Sequence, residues 1–188
     1  MRVKRIGLFV LIAIILLQGC SKVSFNYNDG YTDGIVTEDG WENSFFNLKF
    51  ILPEDYTILT DMPENEEFIK TEFDAGFKTE NESGQHIGAT ITIQVSQLPE
   101  GISDEEIRNM NMDAVLQEGL TADMISSGIT KIADEDFSLI EFRMPSDSGY
   151  MKCKRLDRRR DSKLLTIILM YLPYDWDPKL ENFFRPIE

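Results

Sequence analysis

Apolar and polar positions change period along this chain, and each change predicts an element. At the start the apolar residues are continuous: Ile6–Leu17 is a twelve-residue run behind Arg2, Lys4 and Arg5. Thereafter period two dominates. Ile35-Val36-Thr37 is a short strand candidate ahead of an Asp39-Gly40 turn, and Phe46, Leu48, Phe50 and Leu52 alternate with Asn47, Lys49 and Ile51 up to Pro53. Phe73, Ala75 and Phe77 repeat the pattern within 71–79. After a turn at 81–84, Ala89, Ile91, Ile93 and Val95 face away from Thr90, Thr92 and Gln94, so the two segments are expected as an antiparallel hairpin. Strands at 128–133 and 137–144 follow across Asp134-Glu135-Asp136, then 150–156, a polar turn over 157–162, and 163–172. In that last run both alternating faces are apolar, which predicts a central strand covered on each side.

Helical spacing is read at three places. The acidic stretch 61–70 is taken as a short helix. Ser103-Asp104-Glu105-Glu106 has the form of a capping box, and Ile107, Met110, Ala114 and Leu116 give an apolar face up to Gly119. Near the end, Asp177 suits an N-cap and Pro178 the first helical position, with Leu180, Phe183 and Phe184 spaced i, i+3, i+4. Together the elements predict an α+β domain: a mostly antiparallel β-sheet flanked by helices.

The first apolar run is too short for a membrane span, which needs about 20 residues, and fits a signal-peptide core. Its end, Leu17-Gln18-Gly19-Cys20, resembles the lipobox of bacterial lipoproteins. That resemblance implies cleavage between Gly19 and Cys20, lipid on Cys20, and a protein anchored to the cell membrane on its extracytoplasmic side. The expected organisation is then a signal peptide over 1–19, a lipidated cysteine and flexible tether over 20–33, and one domain over 34–188. The tether, rich in Ser, Asn, Asp and Gly, could reach roughly 40 Å if extended.

Charge narrows the partners. Nineteen basic residues against thirty-three acids give −14, and removing residues 1–19 takes three basic residues and no acid, leaving −17. Such a domain repels nucleic acid. Basic residues nonetheless gather at Lys152, Lys154, Arg155, Arg158, Arg159, Arg160 and Lys163. If they share a face, Arg158, Arg159 and Arg160 are candidates for binding an anionic polymer, a lipid headgroup or an acidic protein surface; otherwise they are solvated charge. With Cys20 lipidated, Cys153 stands alone among strand residues and reads as a structural thiol.

The residues that carry catalytic chemistry do not fall into a working pattern. The one histidine, His86, sits in a Gly/Ser-rich stretch read as a turn, without neighbouring ligands. Neither G-x-S-x-G, a phosphate loop nor a dinucleotide fingerprint occurs. Asp29–Gly34 fails as a calcium loop, because the third position is Tyr31 and the twelfth is Gly40. The expectation is therefore no catalytic residue, metal or cofactor, with a hydrolase using unrecognised carboxylates as the weaker alternative.

The segment Gly34-Ile-Val-Thr-Glu-Asp-Gly-Trp41-Glu-Asn43-Ser-Phe-Phe46-Asn-Leu48-Lys-Phe50-Ile-Leu-Pro53, with Tyr56 beyond it, resembles the opening of PsbP-like domains. Small lipoproteins of Gram-positive bacteria are similar in the same way. The resemblance implies a PsbP-like fold over 34–188 and a non-enzymatic binding or accessory role at the cell surface. Its matching residues are packing residues, so it carries over no site.

Overall fold

The computed structural model describes residues 30–54, 56–58, 71–80, 86–117, 125–146, 149–171, 179 and 182–188. The signal run, Gly19, Cys20, the candidate helix at 61–70 and the turn at 81–84 lie outside them. The described elements are β1 (Ile35–Thr37), β2 (Gly40–Asn43), β3 (Leu48–Ile51), β4 (Tyr56–Ile58), β5 (Thr71–Glu80), β6 (His86–Gln97), α1 (Asp104–Gln117), β7 (Ile125–Ile132), β8 (Glu135–Ser146), β9 (Gly149–Arg160), β10 (Lys163–Tyr171) and β11 (Phe184–Arg185). Among the described residues the molecule is mostly β, with a single helix.

Two sheets form. The larger has the order β4-β5-β6-β10-β9-β8-β7 and the smaller β1-β2-β3-β11, and all their pairings are antiparallel. β10 is central between β6 and β9, and its two apolar faces are both used. Leu165, Ile167 and Leu169 join Trp41, Phe46, Leu48 and Phe50 of the small-sheet layer in the main core. On the opposite face Leu164 packs with Ile107 of α1, and Met170 lies against the cluster that holds Val115 of α1. The large sheet is thus a middle layer, with the small sheet on one face and the helix on the other.

Several elements depart from the periodic reading. Residues 40–43 form a strand of their own, and Phe46 sits in the turn before β3. Gly40 makes that hairpin possible. Its φ is +136°, and a Cβ there would lie 2.0 Å from the Phe50 carbonyl oxygen. The β7–β8 turn is Ala133-Asp134, one residue earlier than Asp134–Asp136, because both residues take positive φ (51° and 65°) and close a two-residue hairpin at Ile132↔Glu135. Residues 157–160 are strand rather than turn. β9 stays paired with β10 as far as Arg160↔Lys163, leaving only Asp161-Ser162 to reverse the chain. His86 opens β6, opposite Glu80, instead of standing in a turn.

The terminal segment is corrected as well. Asp177, Pro178 and Leu180 lie outside the described residues, but Phe184 belongs to β11, paired with Phe50, and the Ile51 amide donates to the Phe183 carbonyl at 2.8 Å. Helical spacing places Phe183 and Phe184 on one helix face. Sheet pairing wins because β3 has an open edge whose buried Phe50 accepts both rings, at 5.9 and 5.2 Å between centroids. Tyr31 packs edge-on against Phe45 at 5.4 Å and lies under the Lys163 ammonium at 4.2 Å. The chain therefore enters the domain beside the β9–β10 turn.

Candidate functional site

β9 organises the site, and alternation along it decides where each charge goes. Arg158 and Arg160 point to the small-sheet face, where they donate to the Phe46 carbonyl at 3.0 Å and to the Phe45 carbonyl. Arg159 points the other way, donating to the Ile102 carbonyl at 2.6 Å and pairing with Asp104 at 3.2 Å. The three adjacent arginines therefore do not share a face. Arg158 and Arg160 brace the 44–47 turn and Arg159 the segment before α1; Arg158 also pairs with Glu135 at 3.0 Å, and Arg160 lies over the Phe45 ring at 5.2 Å. Burial pushes the Arg158 guanidinium pKa down, and the Glu135 carboxylate opposes that shift.

On the helix side β9 carries Arg155 and Asp157, both buried. Strand pairing sets Ser138, Asp157, Thr166 and Gln94 in one row across β8, β9, β10 and β6. Asp157 accepts from Thr166 Oγ1 at 2.6 Å, Asn111 Nδ2 at 2.9 Å and Arg155 Nε at 2.9 Å. A second contact from Arg155 Nε reaches the other carboxylate oxygen at 3.2 Å. A buried ion pair offsets its desolvation cost only when such extra hydrogen bonds are present. Here they are. Among the described residues, Arg155 Nη2 and Gln94 Nε2 are the donors left buried without an acceptor in this layer.

Asn111 comes from α1, which starts where the sequence says it should. The Ser103 hydroxyl accepts from the Glu106 amide at 3.2 Å, and the Ser103 amide donates to the Glu106 carboxylate at 2.8 Å. The bonds that Ser103 donates hold the Glu106 carboxyl below its ordinary value. The helix meets the sheet through Ile107, Asn111 and Val115, spaced i, i+4, i+8, while Met110 and Leu116 of the expected face are 39% and 37% exposed. A polar residue thus occupies the middle of the buried stripe, because Asp157 waits opposite it.

A cleft of about 430 Å³ opens between the first half of α1, the β7–β8 turn and the end of β9. Asn111 and Asp157 line it together with Arg108, Asp134, Ile129 and Leu164. The charges in it fall into two groups. Arg158 with Glu135, Arg159 with Asp104, Asp157 with Arg155, and Asp136 with Lys131 at 3.1 Å are satisfied within the protein. Arg108 and Asp134, both exposed, have no ion pair or side-chain hydrogen bond among the described residues.

Of the residues expected to matter, Gly19 and Cys20 lie outside the described residues, while Arg158, Arg159 and Arg160 act as braces at the cleft and its neighbouring loops. Sequence reasoning misses Asp157, Asn111, Arg108 and Asp134. Asp157 leaves one signal: it stands inside an alternating run directly after Leu156, although the polar composition of 157–162 reads as a turn. Cys153 is buried against Val115, Phe142 and Met144, and burial pushes its thiol up to about 12. Among the described residues no group of three or more His, Cys, Asp or Glu could hold a metal ion, and no helix is long and apolar enough to cross a membrane.

No protein-family model matches the chain, and no curated protein matches it. One solved structure to which it is similar is a protein of Bacteroides thetaiotaomicron, at 10% identity and a TM-score of 0.48. The match covers 84% of this chain and 49% of the other, so the chain spans about half the length of that protein.

Proposed function

We propose that the chain is a lipid-anchored, extracytoplasmic module that binds a small polar ligand in the α1/β7–β8/β9 cleft, without catalysis. The observation that carries the binding half is the cleft's construction. Its Asp157–Asn111 floor is locked by the Arg155 and Thr166 hydrogen bonds, and two unpaired charges are presented above it. Asp157 already accepts from three side chains, so it serves to position groups and is poorly placed to accept a proton from a substrate. The anchor half rests on Leu17-Gln18-Gly19-Cys20, and the PsbP-like reading of 34–188 accords with an accessory role. The alternative contact, an anionic polymer or acidic protein surface gripping Arg158, Arg159 and Arg160, is weakened by the internal partners those side chains hold.

Each half has its own test. Cys20→Ala should release the protein from the membrane fraction and abolish incorporation of labelled lipid; retention with label overturns the anchor. For the cleft, amide resonances of the full-length chain in a nonionic detergent are mapped against a panel of small polar compounds. Responses should centre on Arg108, Asn111 and Asp134. Responses confined to other surfaces, or turnover of a bound compound, overturn the reading.

A further inference from the structure

We propose that the cleft selects a zwitterion, a ligand carrying an ammonium and an anionic group on a short apolar linker. The inference rests on the binding reading of the same cleft and adds the ligand's chemical class.

Internal ion pairs take up most of the charge in the cleft. Five acids and three arginines line the cleft. Once Arg158–Glu135, Arg159–Asp104, Asp157–Arg155 and Asp136–Lys131 are set aside, one cation and one anion remain, Arg108 and Asp134. A simple anion would satisfy Arg108 and leave Asp134 facing it; a simple cation would do the reverse. A zwitterion complements both.

A third group points the same way. Asn111 is only 6% exposed, and its Nδ2 is committed to Asp157. That bond fixes the amide orientation, so the carboxamide oxygen is the free end, with no donor among the described residues. It can accept from an ammonium. Ile107, Leu164 and the 76% exposed Ile129 also line the cleft and would cover methylene groups. About 430 Å³ lies within the range of small-molecule sites.

The same headgroup chemistry occurs on a free metabolite and on an amino-phospholipid. The chain enters the domain beside the β9–β10 turn, at the end of the sheet where the cleft opens, so both sources are tested.

The experiment titrates the full-length chain in a nonionic detergent with O-phosphoethanolamine, ethanolamine alone, inorganic phosphate alone, and dihexanoyl-phosphatidylethanolamine. Binding is read from the Arg108 and Asp134 resonances. O-phosphoethanolamine should bind at least tenfold more tightly than either half, and Arg108→Gln and Asp134→Asn should each weaken it at least tenfold. Asparagine tolerates the positive φ of position 134, so the second variant keeps the turn. Tighter binding of the lipid assigns the membrane source, and equal binding assigns the free one; either supports the proposal. If phosphate or ethanolamine alone matches the zwitterion, the class is wrong while the cleft remains a binding site. Silence towards every probe overturns the zwitterion assignment, and the wider compound panel then decides whether the cleft binds at all.

Discussion

At the residue scale the decisive feature is how β9 disposes of its charge. Arg155 and Asp157 are 1% and 5% exposed, and each is tolerable only because the other is there. Asp157→Ala should therefore cost about 3–5 kcal/mol in urea unfolding, since it strands a buried guanidinium. Arg159→Ala, which removes a pair whose side chains are 35% and 70% exposed, should cost no more than about 1 kcal/mol. Cys153 offers a pH test. Its thiol is raised from 9.0 to about 12 by burial, so the folded state favours the protonated form. That contribution is fully present below pH 9 and is lost as pH rises from 9 towards 12. Wild-type stability should fall through that window by about 1.4 kcal/mol per pH unit more steeply than that of Cys153→Ala. Native protein at about pH 8 should also resist thiol alkylation that the unfolded chain undergoes.

At the element scale, α1 and β11 show two ways in which local signals meet tertiary context. The capping box of α1 is local chemistry and forms as written, with Ser103 and Glu106 satisfying each other's amides. Ser103→Ala should lower stability by about 1 kcal/mol. It should also move the Glu106 titration, observed by carbon-detected NMR, from below 4.5 back towards 4.5. The sign follows from the depressed folded value: the stabilisation is present above pH 4.5 and fades as pH falls through the folded pKa. For β11 the local signal misleads. Leu180, Phe183 and Phe184 have helical spacing, yet two residues of strand pairing with β3 settle Phe184 at 1% exposure. Spacing records which residues could share a helix face; it does not record an open sheet edge elsewhere in the chain.

At the scale of the whole molecule, the two sheets are joined through one core, and the C-terminal segment helps to close it. Phe184 lies in the same cluster as Trp41 and Phe50 of the small sheet and Ile91, Leu165, Ile167 and Leu169 of the large one. Phe184→Ala should cost about 3–5 kcal/mol, measured by thermal or urea unfolding. Loss confined to the small sheet, with the large sheet's amides still protected from hydrogen exchange, would separate the two layers energetically. The same layering explains the cleft. It exists only where a helix on one face, a hairpin turn at one edge and the end of a long strand converge.

The strand whose residues alternate strictly, β6, was legible from sequence, because a period of two is the geometry of a pleated chain. The doubly apolar β10 also disclosed its central place and its two covering layers. The capping box likewise needed only neighbours within four residues. Arg158, Arg159 and Arg160 looked like one basic patch because adjacency in sequence hides the alternation that sends them to opposite faces. Asn111 and Asp157, 46 residues apart, could not be paired by any local rule, since a buried carboxylate and its donor become partners only when α1 lies across β9. Sequence alone determined periods, caps and the apolar faces that must be covered, since those follow from backbone geometry and nearest neighbours. Tertiary structure decided which edge took Phe184, which charges were used up internally, and which two were left facing the cleft, because long-range pairing and burial set those outcomes.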